Sequence, residues 1–138
     1  MLTNENNIFS RGVRWRFLIA VLSISIFSCN DSQKTNNRLL DPLEAGWEGS
    51  SVCEVVEENE KLRILRCTFA PSVGHEKHYH QPHIGYTVAG GRFRMTNAQG
   101  SREVDVPTGY TFSNDSIIVH EVLNIGNTTA QFLIIEYK

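Results

Sequence analysis

The feature that most limits what this chain can fold into is its rhythm of turn residues. From residue 52 onward, no apolar run keeps a helical period for more than about two turns. Strand-like stretches at 52–57, 62–70, 84–89, 92–96, 101–106, 117–123 and 130–137, with a short extended piece at Thr111-Phe112, are separated by polar or bend-forming residues. The separators include Pro71-Ser72-Val73-Gly74, Gly90-Gly91, Asn97-Ala98-Gln99-Gly100, Pro107-Thr108-Gly109, Asn114-Asp115 and Asn124-Ile125-Gly126-Asn127. Pro presets φ, Gly supplies positive φ, and Asn and Asp bond their own backbone, so each cluster ends one extended run and starts another. Many short strands at this spacing predict an antiparallel all-β sandwich or barrel. Gly90-Gly91 reads as a hairpin turn.

The 138 residues suit one domain. Formal net charge is −2, which leaves no basic footprint for nucleic acid. The N-terminus has a different character. Arg11, Arg14 and Arg16 precede an apolar run from 17 to 27, F-L-I-A-V-L-S-I-S-I-F. That run is too short to cross a bilayer of about 30 Å as a helix. A positive region followed by a short apolar core is the pattern of a secretory signal peptide, expected over 1–28. Its end, Ile26-Phe27-Ser28-Cys29, resembles the lipobox of bacterial lipoproteins. That resemblance implies cleavage before Cys29, lipidation of its thiol, and an exported, membrane-anchored protein facing the periplasm or exterior. Loss of residues 1–28 removes three arginines and one glutamate and takes the formal charge from −2 to −4. A polar tether is expected over 29–46 and the folded domain over 47–138, its start falling between Leu39 and Trp47.

Four of the five histidines lie within nine residues, at His75, His78, His80 and His83; His120 is far along the chain. In a strand His78 and His80 project from the same face. Two imidazoles on one face, joined by a third from another strand, form a metal site on a β scaffold. The plainer alternative is a polar loop that happens to be histidine-rich.

Histidines and glycines together resemble the cupin superfamily, small double-stranded β-helix (jelly-roll) barrels. Against the first cupin motif, G-x5-H-x-H-x3,4-E-x6-G, Ser72 replaces the first glycine, His78 and His80 take the histidine positions, His83 stands at the glutamate position, and Gly90 closes the motif. Against the second, G-x5-P-x-G-x2-H-x3-N, Gly109, His120 and Asn124 match, while Asp115 and Ile117 replace proline and glycine. The likeness spans roughly residues 50–137. It implies an all-β, single-domain jelly roll with one divalent transition metal (Fe, Zn, Ni, Mn or Cu) on His78, His80, His120 and, where the family has its carboxylate, His83. With no carboxylate among the ligands, the ion would keep its full charge. The function implied is metal-dependent chemistry, dioxygenase-like, on a small organic substrate. The alternative is a non-catalytic, ligand-binding or sensory cupin in the cell envelope. A homodimer through an edge strand stays open.

His75, beside Glu76 and Lys77, is expected in a solvated loop. Glu76 is a candidate hydrogen-bond partner for an imidazole, and Glu121 is expected on the surface. Tyr79 is expected outside, and Tyr86 either fills the barrel or stands near the metal. Phe93 and Met95 are expected to face inward and Arg92 and Arg94 outward, with an arginine at the barrel mouth the less favoured reading. Asn124 is expected to fix a turn. If Asn59-Glu60-Lys61 formed a three-residue loop, Cys53 and Cys67 would face each other. Another loop length would put them out of register, and two buried free thiols are the alternative.

Overall fold

The structure, a computed structural model, describes residues 38–138; the signal segment, Cys29 and the first part of the expected tether lie outside the described residues. Among the described residues eleven strands follow one another: β1 (Gly46–Trp47), β2 (Ser50–Ser51), β3 (Cys53–Glu58), β4 (Leu62–Phe69), β5 (Gly74–His80), β6 (His83–Ala89), β7 (Gly91–Asn97), β8 (Gly100–Val106), β9 (Thr111–Asn114), β10 (Ile118–Asn124) and β11 (Ala130–Tyr137). β1 and β2 form a small hairpin whose turn places Glu48 and Gly49 at positive φ. The rest form two antiparallel sheets, ordered β3-β4-β11-β6-β9 and β5-β10-β7-β8. This is the antiparallel all-β architecture expected from the turn rhythm, in the jelly-roll form that the cupin resemblance implied.

Alternation along the strands builds the interior. In β11, Ala130, Phe132, Ile134 and Glu136 are buried, as are Leu65, Cys67 and Phe69 in β4. Phe69, Phe93 and Phe132 meet edge to face with centroids 5.4–5.9 Å apart. This aromatic cluster packs one part of the space between the sheets, and edge-to-face pairs add roughly 0.5–1.5 kcal/mol each beyond area burial.

Gly90 is not a hairpin turn. Ala89 ends β6 in the five-stranded sheet and Gly91 begins β7 in the four-stranded sheet, so the pair carries the chain from one layer to the other. Neither glycine has positive φ. Gly90 matters through close approach, because a Cβ there would stand 2.4 Å from the Val106 carbonyl oxygen.

Two bulges reset the alternation. Between His120 and Val122 on β10 the chain advances two residues, while the opposing β5 advances three, from His78 to His75. The additional β5 residue turns His75 to the same interior side as His78 although their numbers differ in parity. In β3 the partners change from Val55↔Leu65 to Glu57↔Ile64, leaving Val56 extra. The loop pairs Glu58 with Arg63 and so is one residue longer than the loop that would align the cysteines directly. The Val56 bulge cancels the difference. Cys53 stands opposite Cys67, and the two form a disulfide across the strands.

The segment 38–46, expected within the tether, is packed onto the domain. Leu40 bridges His78 in parallel, and its carbonyl accepts from the Tyr79 N–H. Pro42 and Ala45 are buried, and Asp41 pairs with Arg63. The apolar and ion-pairing residues at 40–45 give this short stretch something to bury, whatever the polarity of its neighbours.

Candidate metal centre

β5 supplies His78 and His80, both almost completely buried, and β10 supplies His120, the direct cross-strand partner of His78. One ring nitrogen from each of these three lies within 4.8 Å of the others. His83 enters from β6 with its ring 5.0 Å from that of His80. It stands beside the converging three rather than among them: its Nδ1–H donates to the Gln81 carbonyl at 2.7 Å, and its Nε2 accepts from the Asn114 amide at 3.2 Å.

Hydrogen bonds assign the tautomers. A backbone carbonyl can only accept, so the 2.6 Å contact from His78 Nδ1 to the Glu76 carbonyl puts the His78 proton on Nδ1. The partner is thus the Glu76 backbone and not its side chain. His80 Nδ1 donates in the same way to Glu136 Oε1 at 2.7 Å. A ring that carries only that one proton has a bare Nε2, and the two Nε2 atoms face each other at 3.0 Å. Two lone pairs at that distance repel unless a cation or a shared proton lies between them. Nitrogens held by one ion at about 2.1 Å and about 90° stand about 3.0 Å apart, so the donor set fits a metal in both chemistry and spacing.

Behind His80 is a row of polar groups that was not anticipated. Glu136 on β11 pairs with Arg63 on β4 on one side and His83 on β6 on the other, and His83 pairs with Asn114 on β9. Arg63 donates to Glu136 and, through both terminal nitrogens, to Asp41. A chain of contacts therefore runs Asp41–Arg63–Glu136–His80. The signal for Glu136 was available in its shared parity with Phe132 and Ile134, which put an acid on the core side of the last strand. Arg63 and Asp41 carried no comparable signal, because their roles follow from which strands become neighbours.

His75 is buried, not in a solvated loop. Its ring lies 3.8 Å from that of His78, and its Nε2 donates to the carbonyls of Pro42 and Ala45. Tyr86 is on the outer face, 41% exposed, so it neither fills the barrel nor approaches the histidines. Glu121 is exposed, as expected. Asn124 is fully buried and spans the turn after β10. Its amide donates to the Phe69, Ala70 and Thr128 carbonyls, and its oxygen accepts from the Gly126 N–H.

The sequence matches no protein-family model and no curated protein. Solved structures share its architecture. A cupin domain from Bordetella pertussis Tohama I superposes with a TM-score of 0.60 at 22% identity, over 63% of this chain and 92% of that one. The polyketide cyclase RemF from Streptomyces resistomycificus gives 0.51 at 14% identity, over 62% of this chain and 63% of that one. The fold is a cupin fold. Identities this low establish architecture, and the chemistry has to be argued from the side chains.

The cupin barrel holds a cavity of about 680 Å³ with His78, His80, His83 and His120 in its wall. Most of the remaining lining is apolar, including Phe112, whose ring lies over Gly85, a residue where a Cβ would collide with it. Burial pushes the histidines down: His78 to about 2, His120 to about 3 and His75 to about 4, with the neighbouring imidazoles adding to the effect. His83 is lowered for the same first reason. Burial alone would raise Glu136, but the hydrogen bonds from His80 and Arg63 outweigh it and hold the carboxyl below its ordinary range. Near neutral pH, His78 and His120 are therefore neutral imidazoles, the form that binds metal.

Proposed function

We propose that this chain is a divalent-metal-binding cupin that performs metal-dependent, dioxygenase-like chemistry on a small organic molecule held in its barrel. The observation that carries this reading is the pair of Nε2 atoms of His78 and His80, turned toward each other at 3.0 Å while acceptors hold their far nitrogens. His78, His80 and His120 would hold the ion, and His83, engaged by Asn114, would line the cavity beside it. Bound to three neutral ligands, a divalent ion would act as a strong Lewis acid and, if redox-active, as a one-electron centre.

The protein's own groups supply the rest. Glu136 orients His80, keeps its proton on Nδ1 and places one negative charge behind the ligand shell, a carboxylate–histidine pairing that raises ligand basicity. Phe112 and the aromatic cluster exclude water and favour an organic guest. Among the lining residues, the ionisable groups other than histidine are Arg102, Asp105 and Tyr110. That sparse set also suits the second reading, a barrel that binds its ligand without turning it over.

The test is metal content of protein loaded with each candidate ion under anaerobic conditions, followed by oxygen uptake with Fe(II) and a panel of small organic molecules. Stoichiometric metal lost on His80→Ala, with oxygen uptake that depends on an added organic compound, is expected. Failure to retain any ion sinks the metal reading. Stoichiometric metal without turnover, with ligand stabilisation that survives chelation, favours the binding reading.

We further propose that the domain works at a membrane surface outside the cytoplasm, anchored through a lipid on Cys29. The motivation is the short apolar run closed by Ser28-Cys29. Metabolic labelling with a radioactive fatty acid should mark the native chain and not Cys29→Ser.

A further inference from the structure

One cation at the barrel mouth has no counterpart in the metal site. Five of the six arginines among the described residues pair with carboxylates: Arg38 with Glu44, Arg63 with Asp41 and Glu136, Arg66 with Glu54, and both Arg92 and Arg94 with Glu103. Arg102 has no such partner among the described residues, and it lines the cavity.

Register puts Arg102 there. In β8 it shares parity with Val104 and Val106, which also line the cavity, and it pairs across the strands with Met95, another wall residue. Glu103, between them, points outward, where it engages Arg92 and Arg94. The acid that could have neutralised Arg102 is thus spent on the opposite face. Asp105 also reaches the rim, but it lies three residues further along β8, about 10 Å away, and alternates to the outer side opposite Arg92.

Position relative to the histidines follows from the same pairings. Carried one step beyond Glu121↔Thr96, the β10–β7 register sets His120 level with Asn97, which pairs with Gly100. Arg102 is then two strands across and two residues along from His120, about 12 Å between Cα atoms from strand spacing and rise. An extended arginine side chain is long enough to bridge much of that gap, with room for a short molecule between guanidinium and imidazoles.

We infer that Arg102 is the specificity-determining residue of the barrel and that the ligand is a small monocarboxylate with an apolar body. A guanidinium fork takes a carboxylate in two parallel hydrogen bonds, and Arg102, exposed at the rim with an apolar wall beneath it, can offer that fork to a molecule entering the barrel. The apolar body then lies against Met95, Val104 and Phe112, with the far end toward the histidines. This deepens the proposed function, on which it rests for the barrel as a ligand chamber.

The experiment is calorimetric titration of the full chain, Co(II)-loaded and metal-free, with 3-phenylpropionate and its uncharged analogue 3-phenylpropionamide. The acid is expected to bind about tenfold or more tightly than the amide, as charge-assisted hydrogen bonds exceed neutral ones. Arg102→Gln should remove the preference, and Arg94→Gln, altered on the outer face, should keep it. Equal binding of acid and amide, or binding of neither in the millimolar range, overturns the assignment. A preference that survives Arg102→Gln but disappears without Co(II) also overturns it while leaving the metal reading standing. A preference that depends on Arg102 in protein that takes up no Co(II) supports the assignment and sinks the metal reading instead.

Discussion

Glu136 Oε1 accepts from His80 Nδ1 at 2.7 Å, and that hydrogen bond reaches the candidate metal site from a strand 56 residues away in sequence. The same carboxylate receives Arg63, which Asp41 holds from the N-terminal segment. The ligand face of His80 is therefore set from behind by three charged groups on three parts of the chain.

Replacing Glu136 by Gln keeps an acceptor for His80 Nδ1–H and removes the charge. Metal affinity should fall by about 10–100-fold, the usual effect of losing such a partner. Glu136→Leu, which strips half-buried Arg63 of one carboxylate and leaves the His80 Nδ1–H without its acceptor, should in addition destabilise the fold by up to about 3 kcal/mol. Chelator competition measures the first effect and urea unfolding the second.

Ligand count can be read one residue at a time. His78→Ala, His80→Ala and His120→Ala should each abolish stoichiometric metal retention, because three nitrogens converge and each is one of the three. His83→Ala should retain the metal, since its lone pair is turned to Asn114. Elemental analysis of the four variants decides between a three- and a four-histidine site.

The metal-free protein should lose stability on mild acidification. Unfolded histidines titrate near 6.5, while His75, His78 and His120 in the fold are held at about 4, about 2 and about 3. Below 6.5 the unfolded chain takes up protons that the fold refuses, so stability falls as pH falls, by at most about 1.4 kcal/mol per pH unit per histidine. His120, being partly exposed, should contribute less. The lowered Asp41 and Glu136 carboxyls act in the same direction further down, below about pH 4. Urea midpoints in chelator at pH 7.5 and pH 5 check the slope.

Reduction of Cys53–Cys67 opens a link with a sequence separation of 14 and should cost about 3 kcal/mol by loop-closure entropy. For a domain of this size that is roughly a 10–20 °C drop in midpoint. Deleting Val56 should act differently: it removes the bulge, shifts β3 by one residue and separates the two cysteines. Thiol titration should then find both free.

Much of this molecule was legible before any coordinates, because strands have a period of two and turns have their own chemistry. The all-β barrel, the shared face of His78 and His80, and the inward Phe93 and Met95 all follow from local rules that residue type alone obeys. So does the placement of Glu136, once its parity with Phe132 and Ile134 is counted. Where local rules break, reading by parity breaks with them. His75 faces inward through a bulge in β5, the cysteines meet because a longer loop and the Val56 bulge cancel, and Gly90 joins two sheets where a hairpin was expected. Asp41, Arg63 and Arg102 take their roles from the strands and segments that become their neighbours. Such adjacency is set by how two sheets bury a common core, a long-range requirement that no window of sequence contains.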